Sequence, residues 1–146
     1  MKELIRMENP DVLLIQETNL GEDCFLPKSK RWWPVGSGLA NSSRGASGGI
    51  GTLWKYVTFE LIQQKTNTHW ILSRLKHKPS DMVVSIINIY SPVLIFEKKQ
   101  CWDSIAALAE TVNLENIILV GDLNLTLDSL ERRGGSPVRD PSKEWV

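Results

Sequence analysis

At 146 residues with an ordinary globular composition, the chain is long enough for one domain with a real core. Its formal net charge of zero excludes nucleic-acid binding driven by overall charge. Any such contact has to come from local clusters such as Lys28–Arg31 or Arg132–Arg133, which serve equally well as solvated loops.

Met1–Asn9 reads as a charged, amphipathic helix and not as a signal peptide, with Asn9-Pro10 ending it. Val12–Ile15 is a short apolar run fit for a buried strand, and Leu20–Lys30 reads as loop. Trp32-Trp33 opens a short apolar stretch broken by Pro34. Gly36–Gly49 is rich in Gly and Ser and reads as a surface loop; no Gly-Lys-Ser/Thr follows, which argues against a P-loop. Strands are predicted at Ile50–Trp54, Val57–Gln63, His69–Leu75 and Met82–Tyr90. Phe96–Val112 is the one long helix, with Trp102, Ile105, Ala106, Leu108, Ala109 and Val112 on its apolar face. Ile117–Val120 follows as a buried strand, and beyond Asn124 the pattern is loop up to Val146. No run is long enough to span a membrane. Cys24 and Cys101 lack metal-ligand spacing and are expected to be free thiols of a reducing, intracellular compartment.

Two strand ends carry the chemistry. In Ile117–Asn124, I-I-L-V-G-D-L-N, the apolar run stops at Gly121, and Asp122 and Asn124 follow. If the backbone stays extended, those two side chains point the same way, a carboxylate beside an amide. An acid there can take a proton from water or hold a metal. Taken alone, the pair reads as turn formers closing a strand. Upstream, Pro10–Thr18, P-D-V-L-L-I-Q-E-T, repeats the arrangement with Glu17 just past a buried run. Two strands each ending in an acid are what a metal-dependent phosphodiester site needs. Tyr90 ends a third strand ahead of Ser91-Pro92, and its ring can equally be an interfacial tyrosine with a wet hydroxyl.

These segments, with N-I-Y-S-P at Asn88–Pro92, occur in an order that resembles the endonuclease/exonuclease/phosphatase superfamily, the relatives of deoxyribonuclease I. The nearest likeness is to the endonuclease domain of LINE-type (non-LTR) retrotransposon polyproteins. G-G-x-x-x-x-W at Gly48–Trp54 and E-x-R-G-G at Glu131–Gly135 match that subgroup. The resemblance covers essentially residues 1–146 and implies an α/β fold, a four-layer sandwich of two packed, mostly antiparallel sheets flanked by helices. It also implies Mg²⁺, with Mn²⁺ as a substitute, held by Glu17. Asp122 would be the general base for water, Asn124 the amide that holds it or the phosphate, and Tyr90 a donor to the phosphate. DNA would be the substrate and a reverse-transcriptase region the companion in the parent polyprotein, with a nuclear site of action. His69 and His77 do not match the family's Ser-Asp-His motif, and its first-strand asparagine has no counterpart. The expectation is therefore a partial domain with little or no activity alone. Another phosphoesterase of the superfamily and a non-catalytic remnant are the rival classes.

Overall fold

In a computed structural model, residues 1–42, 48–114 and 116–125 are described. The chain divides into two compact units, Met1–Tyr90 with Leu114–Asp122, and Ser91–Asn113 with Leu123–Val146.

The first unit opens with α1 (Lys2–Glu8), which stops where Asn9 takes a left-handed conformation and Pro10 cannot continue the helix. The Lys55 ammonium ties this corner down, donating to the Asn9 carbonyl and side-chain oxygen and to Asp11. β1 (Val12–Gln16), β2 (Gly36–Asn41) and β3 (Ile50–Lys55) form one antiparallel sheet, ordered β1-β3-β2. β4 (Phe59–Asn67), β5 (Trp70–His77), β6 (Val83–Tyr90) and β7 (Ile117–Asp122) form the other in that order, with only β6 and β7 parallel. A register shift between Leu61 and Gln63 leaves Ile62 as the extra residue of a bulge, and it is exposed.

Strict alternation gives the first sheet two apolar faces. Val12, Leu14, Leu39 and Trp54 point at the second sheet and pack on Phe59, Leu61, Leu75, Val84 and Ile86. Leu13, Ile15, Ala40 and Leu53 point the other way, onto Ile5 of α1 and Phe25 and Leu26 of α2 (Glu22–Trp32). Each fully buried leucine or isoleucine contributes about 1.5–3 kcal/mol. The fold is an α/β sandwich of two mostly antiparallel sheets with helices, as expected.

Several local expectations fail for identifiable reasons. Leu20–Lys30, read as loop, contains most of α2. Pro27 inside the helix and Gly21 ahead of it disguise the signal. Glu22 and Asp23 in the first turn and Lys30 and Arg31 in the last match the helix dipole. The cap comes from a distant residue, as Ser42 Oγ accepts the Glu22 N–H at 3.0 Å. Gly36–Gly49, read as one loop, begins with strand β2. Its glycines serve close approach, since a Cβ on Gly38 would sit 2.3 Å from a Leu53 methyl. Residues 43–47 lie outside the described residues. β4 begins at Phe59, leaving Val57 and Thr58 in the preceding turn. Ile117–Val120 is a strand but not a buried one. It is the outer strand of its sheet among the described residues, and its four apolar side chains are 38–52% exposed.

In the second unit, α3 (Ile95–Thr111) fulfils the long-helix expectation. Cys101, Leu108 and Val112 are buried and Trp102 and Ile105 half-buried, whereas Ala106 and Ala109 are exposed, so the apolar face is narrower than predicted. Lys98 lies buried on this helix, and its ammonium donates to the Asn124 carbonyl at 2.6 Å. The predicted loop after Leu125, Arg132–Arg133 and the Glu131–Gly135 motif lie outside the described residues. Both cysteines are free thiols, Cys24 exposed and Cys101 buried. Among the described residues, no helix is long and apolar enough to cross a membrane.

Candidate active site

The first wall of the site is the end of β1. Alternation points Gln16 at the second sheet and would turn Glu17 away from it. Glu17 instead adopts a left-handed backbone (φ 51°), a conformation that costs a non-glycine residue about 1–2 kcal/mol. The turn is clamped from β3's approach. The Thr18 N–H donates to the Gly49 carbonyl at 3.0 Å and the Asn19 N–H to the Gly48 carbonyl at 2.9 Å. Gly48 and Gly49 both have positive φ, and a Cβ on Gly49 would lie 2.4 Å from Thr18 Oγ1. Only glycine there lets the two segments close. The turn carries the Glu17 carboxylate round to the same side as Gln16.

The second wall is β6, where Asn88 and Tyr90 share a face. Tyr90 Oη donates to Glu17 Oε1 at 2.7 Å, one bridge between the sheets. Gln16 Nε2 donates to Asn88 Oδ1, also at 2.7 Å, a second bridge one step inward. Asn88 is fully buried. Its amide nitrogen is held by the Gly51 carbonyl at 2.9 Å and Thr52 Oγ1 at 3.3 Å. Hydrogen bonding to the Glu17 carboxylate, then burial, then the charges of Glu17 and Asp122 push the Tyr90 phenol above its ordinary value. The phenol therefore stays protonated and available as a donor at neutral pH.

The third wall is β7. Its parallel register places Asp122 opposite Tyr90 and Gly121 opposite Ile89. Gly121 has φ 141°, and a Cβ there would lie 1.9 Å from the Ile89 carbonyl oxygen. The glycine before the aspartate is thus what lets the strand end press against β6. Glu17, Tyr90 and Asp122, from three separated stretches of sequence, converge on one strand-end corner, with both carboxylates exposed. The extended run predicted from Asp122 to Asn124 does not persist: β7 ends at Asp122 and Asn124 is left-handed (φ 48°). Asn124 belongs to the second unit, where its side-chain amide donates to the Ser91 carbonyl.

Glu17 and Asp122 are both exposed, and one oxygen of Glu17 is engaged by a phenol; carboxylates are the donors a hard cation takes. Mg²⁺ binds through one or two carboxylates and leaves its other positions for water and phosphate. Among the described residues, no group of three or more His, Cys, Asp or Glu side chains is arranged to hold a metal ion, so a cation here would have to rest on one or two carboxylates. The Gln16–Asn88–Thr52 network escaped sequence reasoning, although a signal existed. Asn88 is the one amide in the apolar run V-V-S-I-I-N-I-Y, and a buried amide requires partners.

The family model described as Endonuclease/Exonuclease/phosphatase matches residues 1–141. No curated protein matches the sequence. Among solved structures, an endonuclease/exonuclease/phosphatase from Bacteroides vulgatus superposes with a TM-score of 0.70 at 13% identity, over 86% of this chain and 56% of that one. A mannosyl-6-phosphatase of Bacteroides thetaiotaomicron gives 0.64 at 14% identity, over 84% and 54%. D. rerio TDP2 complexed with single-strand DNA product gives 0.64 at 15%, over 85% and 52%. At these identities the likeness is one of fold, and the chain spans about half the length of each of these structures.

Proposed function

The chain belongs to the endonuclease/exonuclease/phosphatase family, and from that premise we propose that Glu17, Tyr90 and Asp122 serve a Mg²⁺-dependent phosphodiester hydrolysis of DNA. The observation that carries this is the Tyr90–Glu17 hydrogen bond with Asp122 across the adjacent strand pair. Glu17 would hold the cation, Mg²⁺ or Mn²⁺, with Asp122 on the neighbouring strand end. When bound, the cation supplies positive charge where the phosphoryl oxygens gain negative charge. Tyr90, kept protonated, would swing its single O–H from Glu17 to a phosphoryl oxygen once the cation occupies the carboxylate. Asp122 orients water and accepts its proton as the water oxygen bonds to phosphorus. The ester bond on the opposite side breaks, and its oxygen leaves.

DNA is favoured as substrate by the motif likeness to LINE-type endonuclease domains, and TDP2, a neighbour in fold, is solved with a DNA product. The same likeness makes a retroelement polyprotein with a reverse-transcriptase region the parent protein, and the nucleus the site of action. A second substrate class, small phosphate esters, is favoured by the mannosyl-6-phosphatase neighbour.

The test begins with the cation. Mn²⁺ added to the chain should broaden NMR signals around Glu17 and Tyr90, and Glu17→Gln should abolish the effect. Supercoiled plasmid incubated with Mg²⁺ then reports nicking, and a panel of phosphate monoesters reports the rival substrates. Strong nicking that survives Asp122→Ala would remove the site assignment. Absence of Mn²⁺ binding with both carboxylates intact would leave a non-catalytic remnant.

A further inference from the structure

We propose that Gln16 and Asn88 are positioning residues that set the geometry of the Glu17–Tyr90 hydrogen bond. The inference rests on the reading of Glu17 and Tyr90 as one site. The two sheets of the first unit meet mostly through aliphatic and aromatic side chains, which attract without direction. Against that slippery contact, directional bridges cross at one end: the Asn41 amide to the Asn67 carbonyl and, side by side, Gln16 to Asn88 and Glu17 to Tyr90. The last two act as adjacent rungs. Gln16 precedes Glu17 by one peptide, while Asn88 and Tyr90 are alternate residues on one face of β6.

The inner rung has no freedom of orientation. The Asn88 amide nitrogen faces the Gly51 carbonyl and the Thr52 hydroxyl, so its oxygen is the atom turned to Gln16. Gly51 and Thr52 pair directly with Ile15 and Leu14 in the β1–β3 register. Asn88 is therefore referenced to the strand that ends at Glu17. A displacement of β6 relative to β1 would strip partners from a group with no solvent access to replace them. The outer rung has no such anchor, because Glu17 is exposed and sits on a left-handed residue. The exposed bond keeps its geometry because the buried one keeps its own.

The test uses the full chain without metal and reads the hydrogen-bonding state of the Tyr90 phenol, which reports its bond to Glu17. In a Tyr56→Phe background Tyr90 is the only tyrosine, so the tyrosine ring doublet in ultraviolet resonance Raman spectra belongs to it. Gln16→Met removes the inner rung and nearly conserves volume. The doublet is then expected to move from the pattern of a phenol donating to a carboxylate toward that of a phenol in water. Thr52→Val cuts only the longer Asn88 contact and leaves the Gly51 bond, so its doublet should match the parent. Gln16→Asn, which keeps the amide but falls short by a methylene, should behave like Gln16→Met and replaces it if that variant does not fold. An unchanged doublet in the folded Gln16 variant overturns the proposal, as does an equal change in Thr52→Val. Because no cation or substrate is present, the outcome is independent of whether the site hydrolyses DNA. A changed doublet alongside absent Mn²⁺ binding would sustain the positioning role and remove the hydrolase reading.

Discussion

Gly121→Ala is the sharpest perturbation available at the site. The added methyl would sit 1.9 Å from the Ile89 carbonyl oxygen, 2.8 Å from its carbon and 2.9 Å from the Ile89 nitrogen. All three are backbone atoms of the paired strand, so no flexible side chain can yield. The φ of 141° is itself hostile to an L side chain; holding alanine there costs about 1–3 kcal/mol. Relieving the overlap means prising β7 from β6 at that pair, with one or two ladder bonds lost at about 1 kcal/mol each. The total, about 2–5 kcal/mol, is a large share of a typical domain's stability of about 5–15 kcal/mol. Urea unfolding followed by tryptophan fluorescence is the assay. With a slope of about 1–3 kcal/mol per molar, the midpoint should fall by at least about 0.7 M. Gly21→Ala is the reference, since φ is −64° there and the new methyl meets only Ser42 Oγ at 3.9 Å. It should cost under about 1 kcal/mol. If Gly121→Ala unfolds within about 1 kcal/mol of the parent, β7 is not seated against β6 in the parallel register, and Asp122 is not beside Tyr90.

Two further outcomes follow from the titratable groups. The Tyr90 phenol is raised in the folded chain, chiefly by its bond to Glu17, so the folded state holds that proton more tightly than the unfolded state. Its contribution to stability is complete below about pH 10 and is lost as pH rises through the folded value. Urea midpoints measured across that alkaline window should decline, and Tyr90→Phe should remove this component of the decline. An identical decline in Tyr90→Phe would refute the assignment. The thiols should separate under a disulfide reagent at pH 8. Cys24 is exposed and should react at once, whereas burial pushes Cys101 up to about 11 and leaves it 2% accessible. One thiol per chain should titrate rapidly and the second only in denaturant; two fast thiols would contradict the burial.

What the sequence disclosed follows from how local each cause is. Ile50–Trp54, His69–Leu75 and Met82–Tyr90 announce themselves through apolar and β-branched runs, and Phe96–Val112 through its helical period. Each pattern lies within its own segment. α2 is hidden because Pro27 inside it reads as a break in the sequence and its cap, Ser42, lies far along the chain. β2 is hidden because its glycines exist for contact with Trp33 and Leu53, which only the packed sheet reveals. The apolar run Ile117–Val120 says strand correctly, yet exposure depends on which neighbours a strand finds. At the site, Tyr90 and Asp122 were legible as strand-end residues. The direction of Glu17 was not, because alternation points it the wrong way and only its left-handed turn corrects that. Gln16 and Asn88 are neighbours solely in three dimensions.

The left-handed backbone at Glu17 bears on how the chain could be engineered. Folding alone would fill that position with glycine or asparagine, both more at ease at positive φ. Glutamate there is a standing concession in stability of about 1–2 kcal/mol. A screen that rewarded thermal resistance and nothing else would be drawn to residue 17 early, since relaxing a strained non-glycine position is among the easier gains available. The variants it returned would be sturdier and would have discarded the carboxylate that Tyr90 holds in place. Robustness and chemistry pull against each other at a single residue, so selections on this scaffold need a readout at Glu17 as well as a melting curve.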